Sequence, residues 1–168
     1  MVHDIAANDI DDMLIYIKSQ GYNLTKNIAR GILPVAATWD TDPSDLANIT
    51  DGDQSTETGE GVHAFGGAAN AAYITIALGR KVSGIVLVGM NAKVSASTAT
   101  FYVRQYDGAA WSYGCSGIVS ISDATYRNKP ILPVYISNAE QIQIYFYASG
   151  ALTLTAKFRD ITILEVLL

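Results

Sequence analysis

Asp51, Asp53, Ser55 and Thr56 crowd one short run of this chain, with Gly52 between the two acids. Carboxylates and hydroxyls are hard oxygen donors, and glycine lets the backbone turn sharply between them. Ca²⁺ gathers about six to eight such oxygens, backbone carbonyls included. A cation staple on a tight loop is therefore one reading of residues 48–56. An ordinary Asp-Gly turn uses the same residue types, and the run by itself leaves both readings open.

Other chemistry is scarce. The chain has two histidines, His3 and His63, too far apart in sequence to form a ligand pair at metal-site spacing. No Gly-x-Ser-x-Gly elbow occurs, and the single cysteine, Cys115, has no basic neighbour in sequence to make its thiol reactive. Asp40, Asp42, Asp45, Glu57 and Glu60 all fall in one polar segment and read as solvated loop acids rather than a pair facing across a cleft. Gly59-Glu60-Gly61 and Gly66-Gly67 lack the lysine and the following helix of a phosphate loop. The expectation is a protein that is not an enzyme.

Composition narrows the partners. The chain has 168 residues, 49% of them hydrophobic and 16% charged, with a formal net charge of −5. That size suits one packed domain with no need of disulfides. Its lysines and arginines are scattered from Lys18 to Arg159, so neither nucleic acid nor an anionic membrane finds a basic patch. No run of apolar residues is long enough for membrane insertion. Met1 leads into His3 and Asp4 without a secretory pattern. The expected location is extracellular or on a virion surface, reached by another route, with the cytoplasm left open.

These residues need elements to hold them. Ile10, Met13, Leu14 and Ile17 recur at helical spacing, with Asn8 or Asp9 as N-cap and Gly21 as stop, which predicts a short amphipathic helix over 8–20. Residues 1–23 form a packing or assembly segment on this reading, and 24–168 a β domain. Strands are expected at 32–38, 73–78, 82–88, 98–104, 118–122, 131–136, 141–147 and 152–166, the last broken in the middle. Asp107-Gly108 marks a hairpin turn. Many short strands with turn signals between them indicate a β-sandwich. Residues 40–70 read as one long loop in need of an anchor.

The ordered motifs resemble a known family. Asn27-Ile28-Ala29-Arg30-Gly31 is similar to the "N-L-A-x-G-K" opening of discoidin-like domains, the coagulation-factor C-type and galactose-binding-like sandwiches. Ala47 to Asp53 resembles their "A-x-x-L-x-D-G-D" loop, although the tryptophan usual after the Ser-Thr pair is replaced by Thr58-Gly59. Ile74 to Gly79 is similar to "I-x-I-D-L-G", Val82 to Ile85 to "V-S-x-I", Tyr106 to Trp111 to "Y-D-G-x-x-W", and Arg159 to Ile163 to "x-E-I-x-V". The resemblance spans about residues 24 to 168.

It implies an all-β, antiparallel jelly-roll sandwich with a short N-terminal α-helix. It also implies a structural Ca²⁺ held by Asp51, Asp53 and Thr56, a backbone oxygen of Asn48, and a closing acid, either Asp160 or Glu165. Relatives that bind glycans do so with loop aromatics. The corresponding candidates are Trp39, His63, Phe65, Tyr113, Tyr126 and Arg127, with Trp111 expected to be structural. The function expected is a non-catalytic binding or structural module, a subunit of a larger assembly such as a virus or phage capsid or tail decoration. Its partners would then be copies of itself or other subunits, and possible glycans. The alternative is a stand-alone carbohydrate-binding module at a cell surface.

Overall fold

The computed structural model describes residues 18–53, 55–66, 71–95, 99–112, 119–121, 127–147 and 151–167, with the side chains of 99–101, 119–121 and 127–133 left aside. Among these described residues nine strands follow one another: β1 (Asn23–Leu24), β2 (Val35–Ala37), β3 (Gly61–Phe65), β4 (Ala72–Val94), β5 (Ala99–Tyr106), β6 (Trp111–Ser112), β7 (Val119–Ile121), β8 (Arg127–Tyr147) and β9 (Leu152–Leu167). A 3₁₀ turn spans Leu46–Ile49. Every pairing is antiparallel.

The architecture is a sandwich made by bending long strands. The first half of β4 pairs with β2 and with the second half of β8, whose other edge takes β5. The second half of β4 pairs with the first half of β8 and with β9. Ladder breaks between Ala77 and Gly84 mark the passage from one layer to the other. Gly79 (φ 70°), Gly84 (φ 123°) and Asn138 (φ 50°) adopt the positive φ this bend requires. Glycine and, less readily, asparagine tolerate that backbone. Between the layers lies one apolar core, with Ile74, Ile76, Val103, Ile142, Ile144 and Phe146 from the first and Val88, Met90, Phe158, Ile161 and Ile163 from the second. Trp39, Phe146 and Phe158 meet at ring distances of 5.4 to 6.2 Å and join the two. Burying each of these aromatic side chains contributes on the order of 1.5–3 kcal/mol or more.

The opening motif clamps onto the last strand. Asn27 Nδ2 donates to the Ile161 carbonyl (3.0 Å), while its Oδ1 accepts from the amides of Ala29 (3.0 Å) and Ile163 (2.9 Å). One amide side chain thus ties two distant segments together.

The all-β sandwich agrees with the sequence reading; several boundaries differ. The strands expected at 73–78 and 82–88 are one bent strand, as are 131–136 and 141–147, because glycine and asparagine curve the ladder without ending it. β9 runs unbroken. β3 lies inside what reads as loop, since its partner is the remote stretch 152–156 of β9. The Asp107-Gly108 hairpin is present, with Asp107 Oδ1 accepting from the amides of Ala109 (2.8 Å) and Ala110 (2.9 Å). The expected N-terminal helix lies mostly outside the described residues, which begin with its helical end at Lys18–Ser19 and the Gly21 stop. Among the described residues no helix is long and apolar enough to cross a membrane.

Candidate functional site

The acidic loop, the opening segment and the closing strand meet in one corner. The Gly31 amide donates to the Thr50 carbonyl (2.8 Å), and Thr50 Oγ1 to the Ile32 carbonyl (2.6 Å). Thr58 exchanges hydrogen bonds with the backbone of Phe158. Asp51 Oδ1 accepts from the Asp53 amide and its Oδ2 from Thr56 Oγ1, while Asp53 Oδ1 accepts from the amide and hydroxyl of Ser55. The Ser55 hydrogen bonds hold the Asp53 carboxyl below its usual range. Asn48 turns its side-chain amide to the Glu57 carbonyl (2.8 Å).

Asp160 is buried nearby. Thr162 Oγ1 donates to its Oδ2 (3.0 Å), and its Oδ1 has no hydrogen-bond partner among the described residues. Burial pushes its carboxyl above the ordinary aspartate range, and Asp51 adds to this. The Thr162 hydrogen bond and the charge of Arg30 oppose it. Among the described residues no three acidic or histidine side chains stand close enough to share an ion. Glu165 is engaged elsewhere, in an ion pair with Arg80. The Arg30 guanidinium reaches the same corner and fills the space where a Cβ on residue 52 would stand.

Three of the loop residues expected to meet a glycan, Trp39, His63 and Phe65, are core residues instead. Trp39 is 8% exposed, Phe65 2% and His63 1%. Trp39 Nε1 donates to the Tyr73 carbonyl (3.0 Å), and His63 stacks edge-on against Phe65 with ring centres 4.6 Å apart. The pairing of β3 with β9 carries His63 and Phe65 inward, so none of the three can stack on a ligand. Tyr113 and Tyr126 lie outside the described residues, and of Arg127 only the backbone, paired with Ala92, is described.

Among the described residues, a candidate ligand surface is the outer face of the first layer. Alternation along each strand puts every second side chain on that face. The register lines up Tyr73, Tyr145 and Tyr102 in one row, Thr75, Gln143 and Arg104 in the next, and Ala77, Gln141, Tyr106 and Trp111 in the third. Tyr147 extends the aromatic area, its ring parallel to that of Tyr145 at an interplanar angle of 9°. Neighbouring ring centres are 5.3 to 6.4 Å apart. Arg104 sits among them, 4.8 Å from the ring centres of Tyr73 and Trp111 and 5.7 Å from Tyr145. A polar chain crosses the middle row: Arg104 Nε donates to Gln143 Oε1, and Gln143 Nε2 to Thr75 Oγ1 (2.8 Å).

Half-exposed rings over a broad surface, with a few fixed donors and acceptors between them, form a stacking platform. Each ring offers a flat apolar face, and the Thr75–Gln143–Arg104 row lies between them. Sequence reasoning missed this face. The signal was present in Tyr102, Arg104 and Tyr106, and in Tyr145 and Tyr147, each set at every second position of a strand.

No family model matches the sequence, and no curated protein matches it. Solved structures do. The family 32 carbohydrate-binding module of C. perfringens NanJ, solved in complex with galactose, aligns over 85% of this chain and 100% of its own, at 11% identity and a TM-score of 0.57. The chain has a galactose-binding-like β-sandwich fold. The N-terminal cellulose-binding domain of Cellulomonas fimi β-1,4-glucanase C aligns over 80% of this chain and 89% of its own, at 15% identity and a TM-score of 0.52. Chitosan-binding module 1 of a Paenibacillus sp. IK-5 chitosanase/glucanase covers 83% of this chain and 98% of its own, at 14% identity and a TM-score of 0.51. At these identities the likeness is one of fold.

Proposed function

We propose that this chain is a non-catalytic carbohydrate-binding module that takes a glycan across the outer face of β4, β8 and β5. The observation that carries the reading is the Tyr73–Tyr145–Tyr102 row beside the Thr75–Gln143–Arg104 row. Such a platform needs no moving part and no bound ion. A polymeric glycan ligand would place the protein outside the cell. Support also comes from the fold, which it shares with structures described as binding galactose, cellulose and chitosan. A glycan array followed by calorimetry on Tyr73→Ala, Tyr145→Ala and Trp111→Ala tests it. Binding by the parent that each variant weakens supports the proposal; an array without a single glycan bound defeats it.

The same aromatic face also fits a second reading, a subunit of a virus or phage assembly. Val35 and Tyr135 add exposed apolar area to this protein's surface, at 61% and 66% exposure. Light scattering separates the readings. An oligomer that Tyr145→Ala dissociates assigns the face to self-association; a monomer that binds glycan assigns it to sugar.

A further inference from the structure

The aromatic platform runs into a cleft at the bend of the sheet. Along β4 the outward side chains shrink from Tyr73 through Thr75 to Ala77, and Gly79, at the bend, presents none and leaves the space of a Cβ open. At the low end of that slope lies a cleft of about 350 Å³ lined by Ala77, Gly79, Arg80, Lys81, Glu140 and Gln141. Ala77 and Gln141 also belong to the third row of the platform, with Tyr106 and Trp111. The cleft and the aromatic face are therefore one continuous surface.

The polar groups of the cleft suit hydroxyls. Lys81 Nζ pairs with Glu140 Oε1 at 3.3 Å, and Arg80 with Glu165, so both cations in the wall are already matched by carboxylates, which favours an uncharged ligand. The side chains of Lys81 and Glu140 are 61% and 40% exposed. The ammonium keeps donors beyond the one spent on Glu140, and the carboxylate keeps lone pairs on Oε2. Gly108 lets the hairpin turn close on that carboxylate, since a Cβ there would stand 3.0–3.2 Å from it. Gln143 is committed to Arg104 and Thr75, whereas Gln141, half-buried, makes no side-chain hydrogen bond among the described residues. Its amide is left with donors and an acceptor to offer. Sugar hydroxyls both donate and accept, so a cleft that mixes the two is matched to them.

Resting on the carbohydrate-binding reading above, we infer that the Lys81–Glu140 cleft is a second sugar subsite, continuous with the platform, which receives the hydroxyls of a further unit of the same neutral glycan chain. The module then recognises a stretch of polymer and not a single terminal sugar.

The test is calorimetry of the full chain with neutral β-1,4-linked gluco- and galacto-oligosaccharides of two and of five units. At least one pentasaccharide should bind roughly tenfold or more tightly than its disaccharide, the gain expected from hydrogen bonds to charged groups. The same ratio is then read within each variant. Glu140→Gln and Lys81→Met should each lower it to about threefold or less. The ion pair they break is exposed and adds little to stability, so both variants should stay folded by circular dichroism. A merely structural change would weaken both lengths alike and leave the ratio as it was. Equal binding of the two lengths by the parent, or a ratio that survives either substitution, would overturn the subsite and leave the carbohydrate reading standing. Binding of none of the four oligosaccharides would also overturn the subsite, and the glycan array would then decide the carbohydrate reading.

Discussion

The Arg104 guanidinium lies 4.8 Å from the centre of the Tyr73 ring, although β8 runs between the strands that carry them. The contact reaches diagonally over Gln143 and Tyr145, so it exists only when all three strands are in register. A one-residue slip of β8 would turn Tyr145 and Tyr147 into the core and Ile144 and Phe146 to solvent. Integrity of the platform and integrity of the core are therefore the same condition.

Truncating the platform should weaken ligand binding without unfolding the protein. Each of Tyr73→Ala, Tyr145→Ala and Trp111→Ala is expected to lower glycan affinity by about 1–2 kcal/mol, roughly five- to thirtyfold. Calorimetry with the best glycan on an array checks this. Trp39→Ala should instead lower the melting temperature, by about 3–5 kcal/mol of stability, because that ring fills the core. If Trp39→Ala left stability intact and removed binding, the roles assigned to the two groups would be reversed.

Asn27→Ala should destabilise the fold by about 2–3 kcal/mol, since the change deletes three hydrogen bonds and strands the Ile163 amide and Ile161 carbonyl. In a domain of this size that corresponds to a fall of roughly 4–12 °C in melting temperature. Differential scanning calorimetry reads it directly, and a loss under about 1 °C would mean that Asn27 is not the clamp.

Asp160 gives a pH test. Burial raises its folded pKa, so its favourable contribution is complete below the unfolded aspartate value and is lost as pH rises through the folded one. Asp160→Asn should therefore melt above the parent at neutral pH. The difference should shrink towards zero as the pH falls below the ordinary aspartate range. A variant that melts below the parent at neutral pH would show that the carboxylate is wanted in its charged form.

Divalent cations should matter little. With Arg30 over Gly52, the corner carries its own positive charge, and EDTA should leave the melting temperature unchanged within about 1 °C. Arg30→Met should lower it slightly, by roughly 1 kcal/mol or less for so exposed a side chain. A clear fall with EDTA, restored by Ca²⁺, would bring back the calcium staple that the family resemblance implies.

Strand existence was legible in the sequence because alternation along 141–147 and the apolar run at 85–88 reflect burial directly. The ordered motifs were enough for the sandwich. Side-chain destination was harder. His63 and Phe65 sit in a glycine-rich stretch that looks exposed, and only its pairing with Leu152–Ala156, about ninety residues on, puts them inside. Tyr73, Tyr102 and Tyr145 are ordinary strand residues in isolation, and they become a row only through the β4–β8–β5 register. The acidic loop is legible as a tight turn from Asp51-Gly52-Asp53; that Arg30 reaches the same corner depends on side-chain packing no spacing rule encodes.

The bend shared by β4 and β8 has a mechanical consequence. Each strand is a continuous backbone that serves both layers, so neither layer can peel from the other without breaking ladder bonds on both sides of the bend. Force applied along a bound polymer would enter β4 and β8 at the platform and be carried by covalent backbone into the opposite sheet. The sandwich should therefore yield under load as one unit, with a single rupture event in a pulling experiment, and hold its cargo up to that limit.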